Sequence, residues 1–241
     1  MDTTVDEVAE DVFRISTWVS GIGPDGFTFN QYLVRADEPL LFHTGHRSMF
    51  PAVSQAIDSV VRLEALRWIS FGHFESDECG AMNELLAAAP RAEIVNGELA
   101  CLISINEVAD RTPRAVADGE VVDLGGRQVR YLATPHVPHC WDAGLLYEET
   151  TSTLFCGDLF THMGRASAEP SGDILGPAIA AESLFGATAL TPSTGPTIRR
   201  LADLGATTLA TMHGSAFAGD TGGALADLAT YFDDQMAAAL D

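Results

Sequence analysis

Six side chains able to bind metal recur along the chain. His73, Glu75 and Asp77 alternate within His73-Phe-Glu-Ser-Asp77; His139, Asp158 and His213 follow, with eighteen residues between His139 and Asp158. Along an extended segment every second side chain points the same way, so the first three can share one face. H-x-E-x-D alone is ordinary loop composition. Three further ligand types, each beside an expected strand end, turn it into a set large enough for two metals sharing one carboxylate.

Each residue also has a plainer reading. Asp77 can cap the helix that follows, with Glu78 favoured in its first turn by the helix dipole; neither role accounts for His73 or Glu75. Asp158 follows Leu154-Phe-Cys-Gly157, a strand ending in glycine, where a turn Asp is common and a carboxylate shared by two metals is equally well placed. His213, behind Leu209 and Met212, would by itself read as a core histidine. His136 competes with His139. His139 is preferred because it opens a hairpin that returns the chain to Asp158. Together the residues gather at the carboxyl ends of strands, where open α/β sheets place their ligands.

The positioning elements follow from hydrophobic period. Strands are expected over 11–19, 30–35, 40–42, 66–71, 121–124, 129–133, 143–147, 153–156 and 207–211. Helices are expected over 48–61, 80–89, 97–108, 177–189, 197–204 and 223–240. Gly125-Gly126 signals a hairpin turn. His162–Gly176, rich in Gly, Ser, Ala and Pro, is expected to be a loop beside the site and to act as a lid. Strands and helices alternate in two halves without a linker. This favours a sandwich of two mixed sheets covered by helices, one domain over residues 1–241.

Composition excludes whole classes. The 241 residues include 34 Asp and Glu against 13 basic residues, a formal net charge of -21. Every basic residue is arginine, so Schiff-base chemistry and a P-loop lysine are absent. A phosphate backbone or an anionic membrane would be repelled. The acidity suits either solubility or a high-salt setting. No apolar run approaches the roughly 20 residues that span a bilayer, and the acidic N-terminus is no targeting signal; a cytoplasmic location is expected. Cys79, Cys101, Cys140 and Cys156 form no C-x-x-C pair and read as small buried residues.

The chain resembles the metallo-β-lactamase fold superfamily over nearly its full length. The resemblance is carried by Asn30-Gln-Tyr-Leu-Val, Leu40-Leu-Phe-His-Thr-Gly45, His73-x-Glu-x-Asp77, Thr134-Pro with His139, Phe155-Cys-Gly-Asp158 and Met212-His-Gly214. Hydrolases of that superfamily usually carry H-x-H-x-D-H. Glu75 in place of the second His is similar to the diiron branch: flavodiiron O2/NO reductases and stand-alone oxygen-binding diiron proteins. The resemblance implies an αββα sandwich and two iron ions, with zinc or manganese as alternatives. It implies one metal on His73, Glu75, His139 and Asp158, and a second on Asp77, Asp158 and His213. The carboxylates favour iron or manganese as harder, anionic ligands. Two positions depart from the family pattern. Glu78 stands where flavodiiron proteins often have His, and is either a further ligand or a solvent-facing residue. His43 stands where the superfamily commonly has Asp, and is either a donor behind the ligands or a purely structural residue. No flavodoxin domain and no bound FMN are expected within these residues. The expected function is binding or reduction of O2 or NO, as sensor, scavenger or reductase with a separate electron donor or signalling partner; a homodimer is compatible. The alternative is a dinuclear metallohydrolase acting on a thioester, lactone or phosphoester.

Overall fold

Thirteen strands among the described residues fall into two facing sheets. The computed structural model describes residues 2–23, 25–166 and 172–240. The first sheet runs in chain order: β1 (Asp2–Ala9), β2 (Val12–Val19), β3 (Phe27–Val34), β4 (Leu40–Phe42), β5 (Trp68–Ser70), β6 (Glu93–Gly97) and β7 (Arg114–Val116). It is antiparallel from β1 to β4 and parallel from β4 to β7. The second holds β8 (Val121–Asp123), β9 (Gln128–Ala133), β10 (Gly144–Glu148), β11 (Thr153–Gly157), β12 (Thr208–Thr211) and β13 (Phe217–Ala218). Only its β11–β12 pairing is parallel. Both sheets are thus mixed, as expected.

Three apolar layers explain why strands with continuous hydrophobic runs occur here. Every residue of β3, β10 and β11 is buried, because each strand is covered on both faces. Tyr32, Phe42, Tyr131 and Phe155 pack between the sheets. On the outer face of the first sheet, Leu33, Leu41 and Ile69 meet helices α1 (Phe50–Asp58) and α3 (Met82–Ala88), which follow β4 and the short α2 (Ser76–Cys79). After β6 come α4 (Glu98–Ala100), a π-turn at Cys101–Ile105 and α5 (Asn106–Val108). The second sheet is covered by α6 (Leu175–Phe185), α7 (Thr194–Ala202) and α8 (Thr221–Leu240). On α8 the buried residues Leu225, Leu228, Ala229 and Phe232 fall at helical spacing, which explains why this stretch is a helix with one buried stripe.

Several expectations need correction. The acidic N-terminal segment, for which no strand was expected, forms an edge strand, β1, closed onto β2. Strands β6, β7 and β13 went unpredicted; the last two span three and two residues, too short for a period-2 pattern to register. The helix expected over 80–89 is present as α3, and a separate short helix that was not expected, α2, precedes it. A Cβ at Gly80 would lie 2.2 Å from the Ser76 carbonyl oxygen, so the backbone between them turns where only glycine fits. Within His162–Gly176, residues 162–166 and 172–174 are irregular, while 167–171 lie outside the described residues.

Candidate metal centre

The two sheets bring their strand ends to one edge. His73, Glu75 and Asp77 follow β5; His139 lies between β9 and β10; Asp158 follows β11; His213 follows β12. All six residues expected from the sequence meet there. Glu75 Oε2 lies 2.8 Å from His73 Nε2 and 3.1 Å from His139 Nε2. Asp158 Oδ2 lies 3.5 Å from His139 Nε2 and 3.8 Å from His73 Nε2. Its other oxygen, Oδ1, is 3.2 Å from His213 Nε2, and Asp77 Oδ2 reaches the same nitrogen at 3.4 Å. One carboxylate therefore faces two sets of donors.

The sets differ in compactness. Donor atoms of His73, Glu75, His139 and Asp158 all lie within 4.8 Å of one another, close enough for one ion. Asp77 is tied to Asp158 through His213. Cys140, which the sequence offered only as a buried residue, also groups with His73 and His139; its one sequence signal is adjacency to His139. His136 is exposed, whereas His139 groups with the cluster.

The histidines are aimed from behind. His213 Nδ1 lies 2.8 Å from the Thr28 carbonyl oxygen, which leaves Nε2 for the carboxylates. The turn beyond it is pinned by Asn30, whose Nδ2 donates to the carbonyls of Thr211 and Gly214 at 2.9 and 2.7 Å. Sequence reasoning quoted Asn30 only within a motif; its task is to stitch β3 to the strand that delivers His213. Gly214 has φ +117, and a Cβ there would strike the His162 ring at 2.1 Å, so glycine is required. His162 is a structural residue: its Nε2 accepts from the Ser215 N–H at 2.9 Å.

Glu78 corrects the solvent-facing reading. It is fully buried, with Oε2 accepting the His73 backbone N–H at 2.6 Å and Oε1 3.3 Å from both His73 Nδ1 and His43 Nε2. It stands against the opposite nitrogen of His73 from the one that faces Glu75 and Asp158. His43 sits behind the cluster, with its Nε2 against Glu78.

The electrostatics are those of a site charged for cations. Burial opposes protonation of His73, but the Glu78 charge and contact with Glu75 push it up to about 12. His213 is likewise pushed up to about 10 by Asp158 and Asp77 against its burial. Contact with His139 and His73 holds Glu75 well below the usual carboxylate range. His73 and His213 thus hold protons where a metal would need lone pairs, and metal binding must displace them. The donor set fits metal: imidazole nitrogens and carboxylate oxygens converge, and among the described residues buried Asp158 Oδ1 has no hydrogen-bond partner beyond its ion-pair contact with His213. A cavity of about 250 Å³ opens onto the cluster, walled by Phe27, Phe160, Ala178, Phe185, Leu228 and Phe232.

Residues 27–178 match the family described as ODP family beta lactamase. The chain belongs to this family. Among curated relatives of this ODP-family chain is diflavin flavoprotein A 1 of Synechocystis sp., 27% identical over 138 residues, covering 56% of this chain and 24% of that protein. Another is the anaerobic nitric oxide reductase flavorubredoxin of Pectobacterium carotovorum, 26% identical over 138 residues, covering 56% and 27%. The chain thus spans about a quarter of the length of these relatives. Rubredoxin oxygen:oxidoreductase from Desulfovibrio gigas superposes with a TM-score of 0.81 at 20% identity, covering 95% of this chain and 62% of that one. The αββα sandwich expected from the sequence is therefore the fold of this ODP-family member.

Proposed function

We propose that the chain is a non-haem diiron protein that binds or reduces O2 or NO. The observation that carries this reading is Asp158, whose two oxygens face two separate donor sets, one of them holding Glu75 where it contacts both His73 and His139. His73, Glu75, His139 and Asp158 would hold one ion, and Asp77, Asp158 and His213 the other. A diiron pair held there would supply two electrons, one from each iron, for chemistry toward O2 or NO. The protein's part is to present four carboxylate oxygens and three imidazoles in fixed directions. Thr28 fixes His213. Glu75 adds negative charge, which favours the ferric state and weakens Lewis acidity toward a carbonyl or phosphoryl oxygen. Apolar side chains wall the cavity on the side of α6 and α8.

The relatives named for nitric oxide and oxygen chemistry support this class of activity for the core. Electrons for reduction would come from a donor outside these residues, and a sensor would report to a partner by the same site. The reading takes residues 1–241 as one domain, keeps the cytoplasmic placement and is compatible with a homodimer. Among the described residues no helix is long and apolar enough to cross a membrane.

The cavity favours a second reading. At about 250 Å³ it exceeds what a diatomic gas requires, and a metallohydrolase with an apolar thioester or lactone would use the same opening. One experiment separates them. Protein purified without oxygen is loaded with iron or with zinc. Each form is exposed to O2 and NO under a spectrophotometer, then assayed with thioester and lactone substrates. A spectral change of the diferrous form with negligible hydrolysis is expected. Efficient hydrolysis with an inert diferrous form would transfer the assignment to the hydrolase.

A further inference from the structure

Glu78 is a carboxylate in contact with His73 that the proposed ligand set does not use. It is completely buried, and burial of an ionised carboxylate is costly unless it is partnered. Its partners are specific. The His73 backbone N–H holds Oε2 at 2.6 Å. Oε1 lies 3.3 Å from His73 Nδ1 and 3.3 Å from His43 Nε2. The other His43 nitrogen, Nδ1, faces the Asn30 carbonyl at 3.4 Å.

The position is built rather than incidental. Gly72 leaves the carboxylate its space: a Cβ there would lie 3.0 Å from Oε2. His43 occupies a left-handed backbone conformation, φ +67, at the end of β4, a conformation uncommon for non-glycine residues. Its backbone N–H bonds Ser70 of β5 at 2.8 Å, so the ring is fixed relative to the strand that delivers His73. The Glu78 carbonyl in turn accepts the Thr44 backbone N–H at 2.6 Å. Residues 43–44 and 78 are therefore tied together behind the His73 ring.

We propose that Glu78, held in place by His43, is a positioning residue that fixes the His73 ring with its proton on Nδ1 and its lone pair on Nε2, facing Glu75 and Asp158. This rests on the reading of His73 as a metal ligand. An imidazole has two nitrogens, and the hydrogen bond made by one decides which is free for metal. The Nδ1 of His73 meets Glu78 Oε1, whereas Nε2 meets the cluster. Outer partners of this kind are worth about 10–100-fold in metal affinity.

The test uses the full chain and Co(II) or Zn(II) alone as probe. Wild type, Glu78→Ala, Glu78→Gln and His43→Asn are titrated with Co(II) against a chelator, and the imidazole nitrogens of the Zn(II) form are read by NMR. In the wild type His73 should show a protonated Nδ1 and a metal-bound Nε2. Glu78→Ala should weaken the His73 site about 10–100-fold, alter its cobalt spectrum and leave the His213 site within about threefold. Glu78→Gln, which keeps an acceptor oxygen, should recover part of that loss, and His43→Asn should give a smaller loss of the same kind. Selective weakening of the His213 site in Glu78→Ala would make Glu78 a ligand and overturn the proposal. So would wild-type affinity and spectrum in Glu78→Ala, or in Glu78→Gln if the alanine variant fails to fold. A wild type that binds no metal at all would instead defeat the metal-centre reading on which the proposal stands.

Discussion

Removing Asp158 should cost both metals, whereas removing Asp77 should cost one. Asp158 faces His73 and His139 with one oxygen and His213 with the other, at 3.8, 3.5 and 3.2 Å. Asp77 contacts His213 alone, at 3.4 Å. Structural zinc sites with four protein ligands bind with about 10–16 kcal/mol, so a single ligand contributes roughly 2.5–4 kcal/mol. That is on the order of 100- to 1,000-fold in affinity per ligand lost. Asp158→Ala should show that loss in both binding steps; Asp77→Ala should show it in the second step and leave the first within about tenfold. The assay is anaerobic Fe(II) titration against a competing chelator, with metal per chain measured after desalting. Thermal unfolding of the metal-free variants controls for misfolding. If Asp158→Ala keeps one metal at wild-type affinity, the shared-carboxylate argument is wrong. If Asp77→Ala loses both, the two donor sets are not separable in the way the distances imply.

Glu75→His should raise zinc retention relative to iron, because an imidazole replaces a hard anionic oxygen; metal analysis of protein loaded with equimolar iron and zinc measures it. His139→Ala should empty the first site and His136→Ala should leave metal content close to wild type, since His136 is exposed and apart from the cluster. Metal-free protein should lose stability on the alkaline side. His73 and His213 are raised from 6.5 to about 12 and about 10, so the stability they contribute is complete below pH 6.5 and is lost as pH climbs through those folded values. Glu75 and Glu78 are held below 4.5, so theirs is present above that value and is lost as pH falls. Unfolding temperature against pH should therefore peak between 4.5 and 6.5 without metal; bound metal, which needs neutral imidazoles, should flatten the alkaline fall. Asn30→Ala breaks two buried hydrogen bonds to the turn carrying His213, and should cost roughly 2 kcal/mol, or about 4–8 °C in unfolding temperature.

The candidate ligand types, their order and their placement after strands were legible in the chain itself. Alternation in His73-Phe-Glu-Ser-Asp77 and the eighteen-residue return from His139 to Asp158 are local facts of spacing. The layered fold was legible for a related reason: continuous apolar strands between amphipathic helices have few ways to bury both faces. Spacing could not pair residues distant in sequence. His43 and Glu78 each stood out as a departure from the family pattern, but only the parallel pairing of β4 with β5 sets them against each other, 3.3 Å apart. The direction of Glu78 was likewise beyond sequence. It sits one residue past Asp77, and on a helical turn such neighbours point about 100° apart, so one faces the cluster and the other the core. Asn30, Thr28 and the cavity between the cluster and α8 belong to the same class. They depend on contacts across the two sheets, which form only when the whole sandwich closes.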